Sequence, residues 1–243
     1  MRRTLPIIAL LAAALAASPP AEAGIRVVYD DPGKTKQLRI EVADNGDARI
    51  ADSASDDYGL LVGGEFYIVD VEGGKSTVAR LKDVAAAMDE VLPPIFKGLF
   101  EKFGEGMKAR RIRIEPGRID SIAGRTGRIY VIRGLDDSDP DKPTEFLISQ
   151  DADLKPVGAA LEAFMNAAIV PMAPLIRDAA VELIEETRAI FALGTPIDAG
   201  GRFRLISTEP ASFPDVYFRL PAKPQSLKEL VSAMKNSAKT GGQ

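Results

Sequence analysis

The chain has 243 residues, of which 31 are Lys or Arg and 35 are Asp or Glu, and its formal net charge is −4 at pH 7. It contains no Cys, no His and no Trp. The mildly acidic balance argues against a general affinity for nucleic acid. The missing residue types exclude disulfides, histidine metal sites and nucleophiles activated by histidine. We therefore expect a protein that is not an enzyme and that needs no metal or cofactor.

Residues 1–23 have the layout of a secretory signal peptide. Two arginines follow the initial Met, an apolar run occupies residues 5–17, and small residues frame a cleavage site before Gly24. The apolar run is shorter than the roughly 20 residues that cross a bilayer; an uncleaved amphipathic anchor is the alternative. We expect an exported protein, periplasmic or secreted, whose residues 24–243 form a single domain without a transmembrane segment. The absence of cysteine excludes a lipoprotein anchor.

Alternation of apolar and polar residues predicts β-strands along much of the remaining chain. KQLRIEVAD begins the series, and the Asn45–Gly46 pair that follows it is a strong hairpin signal. YGLLVGG and EFYIVDV form the next pair of strands, joined at Gly63 and Gly64. Further strands are predicted in ARIADS, RIRIE, RIDSIAG, GRIYVIRG, TEFLISQ, RFRLIST and DVYFRLP. About ten strands with Gly, Asp and Pro turns indicate a mostly antiparallel sheet.

Helical periodicity interrupts the strands at two places and returns near the end of the chain. LKDVAAAMDEVL and IFKGLFEKFG form the first insertion. The second insertion runs from 154 to 193, with a break or kink at Pro171 and Pro174, and a short surface helix is expected over 227–234. Because a long antiparallel sheet curls, the insertions should pack on its concave face, which predicts an α+β fold. One apolar stripe of the second insertion comprises Leu161, Phe164, Met165, Ala168 and Ile169.

Two charged clusters could serve as ligand sites. Asp137, Asp139 and Asp141 alternate as in a calcium loop, but Lys142 replaces the glycine that such a loop needs, which favours a solvated turn. A group of arginines could hold a lipid phosphate or form the wet side of strands, and we favour the second interpretation. This group comprises Arg110, Arg111, Arg113, Arg118, Arg125, Arg128 and Arg133.

The hairpins from LRIEV through LLVGGEFYIVDVEGG resemble the opening of a bacterial secreted family of unknown function that is usually grouped with LolA/LolB-like lipoprotein carriers. The resemblance continues through AAAMDEVLPPIFKGLF, SIAGRTGRIYVI and ISQDADLKPVGAALEAF to GTPIDAGGRFRLISTEPASFPDVYFRLP. One departure is Gly127, where relatives often carry a cysteine. The resemblance implies an unclosed half-barrel with helices as its lid, and an apolar cavity that in the carriers takes up acyl chains.

Periodicity alone, without the resemblance, supplies a candidate lining for such a cavity. The predicted sheet residues are Leu61, Phe66 and Ile68, and the predicted residues of the first insertion are Ile95, Phe96, Leu99, Phe100 and Phe103. The same eight residues could form an ordinary core. Two functions therefore stay open: binding or carriage of an apolar ligand such as a lipid acyl chain, or a non-catalytic envelope module with a closed core that binds a protein partner.

Overall fold

The protein has an α+β fold built on one curved, open antiparallel sheet. The computed structural model describes residues 21–31, 36–93, 112–136, 138–176 and 178–240. Within these residues the sheet has eleven strands. They are β1 (Ala21–Asp31), β2 (Lys36–Ala43), β3 (Ala48–Asp52), β4 (Tyr58–Val62), β5 (Glu65–Glu72), β6 (Lys75–Arg80), β7 (Arg113–Ile122), β8 (Arg125–Arg133), β9 (Thr144–Ser149), β10 (Thr195–Ala199) and β11 (Arg204–Pro214). The α+β prediction is confirmed.

The chain enters the sheet at its middle. From β1, successive hairpins lead outward to β6, which forms one edge. The chain then resumes at the opposite edge with β7 and returns inward to β11, which pairs with β1. The first and last strands are therefore neighbours at the centre of the sheet.

Two of the predicted hairpins are confirmed. Strand β2 pairs with β3 beyond the turn at Asn45 and Gly46, and β4 pairs with β5 across Gly63 and Gly64. Val62 pairs with Glu65 across Gly63 and Gly64, and both glycines have positive φ angles. A two-residue turn of this kind matches the right-handed twist of the strands, and it requires a backbone conformation that glycine adopts without strain.

The strand predictions were wrong at several places. The strands β1, β6 and β10 were not predicted, and RIRIE and RIDSIAG belong to one strand, β7. The pairing of β7 with β8 shifts register between Pro116 and Ile119. An edge strand tolerates proline because one row of its N–H groups faces away from the sheet. DVYFRLP is not a strand, since the N–H groups of Tyr217 and Arg219 donate to the carbonyls of Pro214 and Val216 in successive turns.

The described helices are α1 (Leu81–Val91), α2 (Lys155–Ile169), α3 (Ala173–Ile176), α4 (Asp178–Phe191) and α5 (Leu227–Thr240). A 3₁₀ turn, Val170–Met172, separates α2 from α3, which confirms the predicted break at the prolines. Helix α5 is longer than predicted and is not merely superficial, because Leu230 and Val231 are buried in a cluster with Ala87 of α1. The segment IFKGLFEKFG lies outside the described residues.

The main core lies between the concave face of the sheet and α2. Helix α2 contributes Val157, Ala160 and Leu161, which are buried in the same cluster as Val27 and Ile40 of the sheet. The helix approaches the sheet closely at Gly158, where an added Cβ would lie 2.6 Å from the Thr195 hydroxyl oxygen. Gly158 therefore sets the distance between helix and sheet.

Part of the opposite face of the sheet is covered by residues 214–226, which we call the C-terminal strap. Phe218 packs against Phe213 at one end, and the N–H of Gln225 donates to the Val78 carbonyl (2.8 Å) at the other. Beside Phe218, the Tyr217 hydroxyl donates to the carboxylate of Glu41, which is 1% exposed. The strap thus shields apolar residues that a curved sheet would otherwise present to water.

Alkaline pH should destabilise the fold through two buried tyrosines. Burial raises the pKa of Tyr29 and of Tyr217 above the ordinary value of 10.0. Above about pH 10 the unfolded chain loses these protons while the folded chain keeps them, so stability is present below that pH and falls as the pH rises further. Urea unfolding between pH 8 and pH 11 should show this decline, and the Tyr29→Phe variant should show a shallower one. An unchanged slope in that variant would contradict the assignment to Tyr29.

Candidate ligand-binding cleft

A cleft of about 380 Å³ opens where α2 crosses one end of the central strands. Its floor and walls are large apolar side chains from both the sheet and the helix, and its rim is charged. The lining comprises the apolar residues Leu38, Leu161, Phe164, Met165 and Phe203 and the polar residues Asp30, Lys36, Gln37, Asp52 and Arg202. Because charged groups stay in contact with water, we take the polar residues as the mouth of the cleft. The volume lies within the range of about 300–1,000 Å³ that small-molecule sites occupy.

The helix wall follows from the periodicity of α2. Leu161, Phe164 and Met165 are spaced three and four residues apart, which places them on one side of the helix. Leu161 is buried against the sheet, whereas Met165 is 41% exposed. The wall therefore runs from the main core to solvent.

The sheet wall is fixed by Leu38 of β2 and by the turn between β10 and β11. The N–H of Arg202 donates to the Ala199 carbonyl (2.9 Å), and the N–H of Ala199 donates to the Phe203 carbonyl (3.0 Å). The Phe203 ring also meets the Tyr29 ring edge-on, with 5.4 Å between their centroids. Backbone bonds and ring packing thus hold Phe203 at the cleft wall and Arg202 beside it at the rim.

The charges around the mouth are not all paired with one another. Lys36 Nζ lies 3.5 Å from Asp52 Oδ2, and Asp52 Oδ1 accepts the N–H of Ala54 at 2.9 Å. Neither Asp30 nor Arg202 has a side-chain hydrogen bond or ion pair within the part of the chain that the structure describes. One carboxylate and one guanidinium are therefore available to a ligand at the mouth.

Three of the eight residues predicted from periodicity lie outside the cleft. Phe66 is buried in the main core, and Leu61 and Ile68 pack against that core. None of the three lines the cleft. The other five predicted residues, Ile95, Phe96, Leu99, Phe100 and Phe103, are outside the described residues. The predicted lining stays a prediction, and the cleft has a different lining, of which only the α2 stripe was noticed in the sequence.

The charged clusters form structural pairs. Arg125 binds Asp153 (2.7 Å) and Asp151 (3.4 Å), which ties β8 to the start of the second insertion. Arg113 pairs with Asp141, whereas Asp137, Arg110 and Arg111 lie outside the described residues. No group of three carboxylates or other ligands that could hold a metal occurs among the residues described. These contacts fit the interpretation of the clusters as turns and wet strand faces.

Three other open clefts were compared with this one. A cleft of about 340 Å³ has charged residues such as Asp120, Glu145 and Arg204 in its lining and no helical residue. Another, of about 400 Å³, surrounds Arg125 and Asp153, whose charges already satisfy each other. The largest, about 490 Å³, lies between α2 and the end of α4, and small residues such as Gly158 and Ala159 make up much of it. The cleft at Phe164 alone among these four combines large apolar side chains from both sheet and helix.

One helical segment of the described chain, Ala152–Ile176, is long and apolar enough to cross a membrane by length and composition. Core helices of soluble proteins pass the same test, and Val157, Ala160 and Leu161 of this segment are buried against the sheet. The prediction that no transmembrane segment follows the signal peptide is therefore not confirmed, and it stays a prediction.

Comparisons with known proteins add little to this geometry. No family model matches the chain, and no curated protein matches it significantly. A solved structure with some likeness is that of a LolA superfamily protein from Nitrosomonas europaea, with 12% sequence identity and a TM-score of 0.17. The match covers 55% of this chain and 60% of that one, which is less than two thirds of its length. A likeness this weak does not indicate the function of this chain.

Proposed function

We propose that this protein binds an apolar ligand, such as a lipid acyl chain, in the cleft between α2 and the concave face of the sheet. The observation that supports this proposal is an opening of about 380 Å³ with large apolar side chains on both walls and charges at its mouth. An acyl chain placed there would remove apolar surface from water on both sides, and each buried methylene is worth about 0.8 kcal/mol. The charged mouth suits a ligand with one polar end.

Two features of the sequence also support the proposal. The signal-peptide layout of residues 1–23 favours an exported protein, periplasmic or secreted. The absence of histidine and cysteine favours binding over catalysis, since the commonest general base and the thiol nucleophile are missing. Organic extraction of the purified protein followed by mass spectrometry would show whether a lipid copurifies, and N-terminal sequencing of the exported protein would show whether cleavage precedes Gly24.

Binding can be tested with one charge placed in the cleft wall. Met165 lines the cleft and is partly exposed, so Met165→Glu should fold normally while placing a carboxylate against the acyl chain. Because the carboxylate would have to lose water, we expect the affinity for a dansyl-labelled fatty acid to fall about tenfold or more. Fluorescence titration measures the affinity.

The matched control is Met172→Glu. Met172 is 47% exposed, lies in the 3₁₀ turn after α2 and does not line the cleft. We expect this variant to bind the fatty acid as the parent does. Equal losses of affinity in Met165→Glu and Met172→Glu would contradict the assignment to this cleft. Ala159 lines the groove between α2 and α4, so a loss of affinity in Ala159→Trp alone would place the site in that groove instead.

A second candidate function, a non-catalytic envelope module that binds another protein, is favoured by exposed apolar residues on the helices. Val181 and Leu183 of α4 are 56% and 41% exposed. Such residues are typical of surfaces that a partner covers. This function predicts that a partner retained at high salt is lost on Val181→Glu, and that neither extraction nor titration reveals an amphiphile.

A further inference from the structure

The charges at the mouth of the cleft indicate the head group of its ligand. We infer that the cleft takes a single-chain zwitterionic amphiphile, whose anionic group lies beside Arg202 and whose ammonium lies beside Asp30. This inference rests on the proposed function, because it assumes that the acyl chain occupies the apolar part of the cleft.

The first step concerns which rim charges a ligand can use. Lys36 and Asp52 form an ion pair with each other, and Asp52 also accepts a backbone N–H. Their charges therefore largely cancel. Asp30 and Arg202 have no such partner within the described ranges, so they set the electrostatic preference of the mouth.

The second step concerns the position of these two groups. Asp30 stands near the end of β1, one residue after Tyr29, and Arg202 stands in the turn that places Phe203 in the wall. Both side chains border the apolar interior, so an acyl chain seated there brings its head group between them. A guanidinium favours a phosphate or carboxylate, and a carboxylate favours an ammonium.

A head group with one charge would satisfy only one of the two residues. An anionic head group would be attracted by Arg202 and repelled by Asp30. A cationic head group would be attracted by Asp30 and repelled by Arg202. A zwitterionic head gains both. Opposite charges arranged to match a ligand give specificity more than raw affinity.

The test compares dodecyl amphiphiles that share one chain and differ in the head: phosphoethanolamine, a methyl phosphate diester with one negative charge, trimethylammonium and maltoside. Isothermal titration below the critical micelle concentration gives each affinity. We expect the phosphoethanolamine head to bind about two- to fivefold more tightly than either singly charged head, the range that a partly exposed ion pair supplies.

Two substitutions should produce a crossed pattern. Arg202→Gln should weaken the phosphoethanolamine and phosphate amphiphiles by about two- to fivefold, and Asp30→Asn should weaken the phosphoethanolamine and trimethylammonium amphiphiles by a similar factor. The maltoside should be unaffected by either. Arg219→Gln and Asp56→Asn, which change exposed charges away from the cleft, are the matched controls and should alter no affinity.

The outcomes separate this inference from the proposed function. Binding of all four amphiphiles with equal affinity, or tightest binding of a singly charged head, would overturn the zwitterionic assignment and leave the apolar-ligand function intact. Failure of every dodecyl amphiphile to bind would remove both.

Discussion

Replacing Tyr29 with alanine should lower the free energy of unfolding by about 3–5 kcal/mol, the usual cost of removing a buried aromatic side chain. Tyr29 lies in the central strand β1 and is fully buried, and its ring packs edge-on against Phe203. Its hydroxyl donates to the Pro196 carbonyl at 3.0 Å, so the substitution also leaves that buried acceptor without its partner. Urea unfolding followed by far-UV circular dichroism measures the change.

The Tyr29→Phe variant separates the two contributions. It keeps the ring and removes only the hydroxyl, so we expect a loss of about 1 kcal/mol. Its Phe203 contact should survive. If Tyr29→Ala lowered the free energy of unfolding by no more than Tyr29→Phe does, the Tyr29 ring would not stabilise the core on the concave face.

Replacing Glu41 with alanine should cost about 1.5–3 kcal/mol, the range for hydrogen bonds to a charged group. The Glu41 carboxylate is buried on the face opposite α2, where it accepts from Arg26 Nε (2.7 Å) and from the Tyr217 hydroxyl. Its removal frees the C-terminal strap from its polar anchor. Thermal unfolding gives the loss, and proteolysis at the strap should accelerate in the variant.

The control is Glu209→Ala, which removes the other carboxylate bound to the same arginine. Glu209 lies 3.0 Å from Arg26 Nη1, but its side chain is 56% exposed. Exposed pairs contribute about 0.2–1 kcal/mol, so this variant should be nearly neutral.

A double-mutant cycle of Glu41→Gln with Tyr217→Phe should show coupling, since both residues share one hydrogen bond. Additive losses would mean that the strap does not depend on Glu41.

The fold could be predicted from the sequence wherever turn residues marked the strand ends. Gly63 and Gly64 specify their hairpin because few other residues accept positive φ angles in both positions. In contrast, β10 contains proline and lies directly after a long helical block, so its five residues gave no alternating signal. Strand β1 was missed because it adjoins the predicted signal peptide. The two strands predicted in RIRIE and RIDSIAG are one, because the edge strand β7 accommodates Pro116 between them.

The site could be predicted only on its helical side. The stripe of Leu161, Phe164 and Met165 follows from a 3.6-residue period that any reader of the sequence can detect. Leu38 and Phe203 are 165 positions apart, and only the pairing of β1 with both β2 and β11 brings their strands together. Local periodicity contains no information about such pairing, and for the same reason it could not place Asp30 and Arg202 in the lining of one cleft.

The central position of β1 also has a kinetic consequence. Arg26 and Glu209 face each other across the middle of the sheet although 183 positions separate them. A ribosome supplies β1 well before its partner β11, so the two halves of the sheet cannot join until the residues between them have emerged. Contacts of such high sequence separation slow folding. Until β11 has been synthesised, the inner edge of β1 has no strand to pair with.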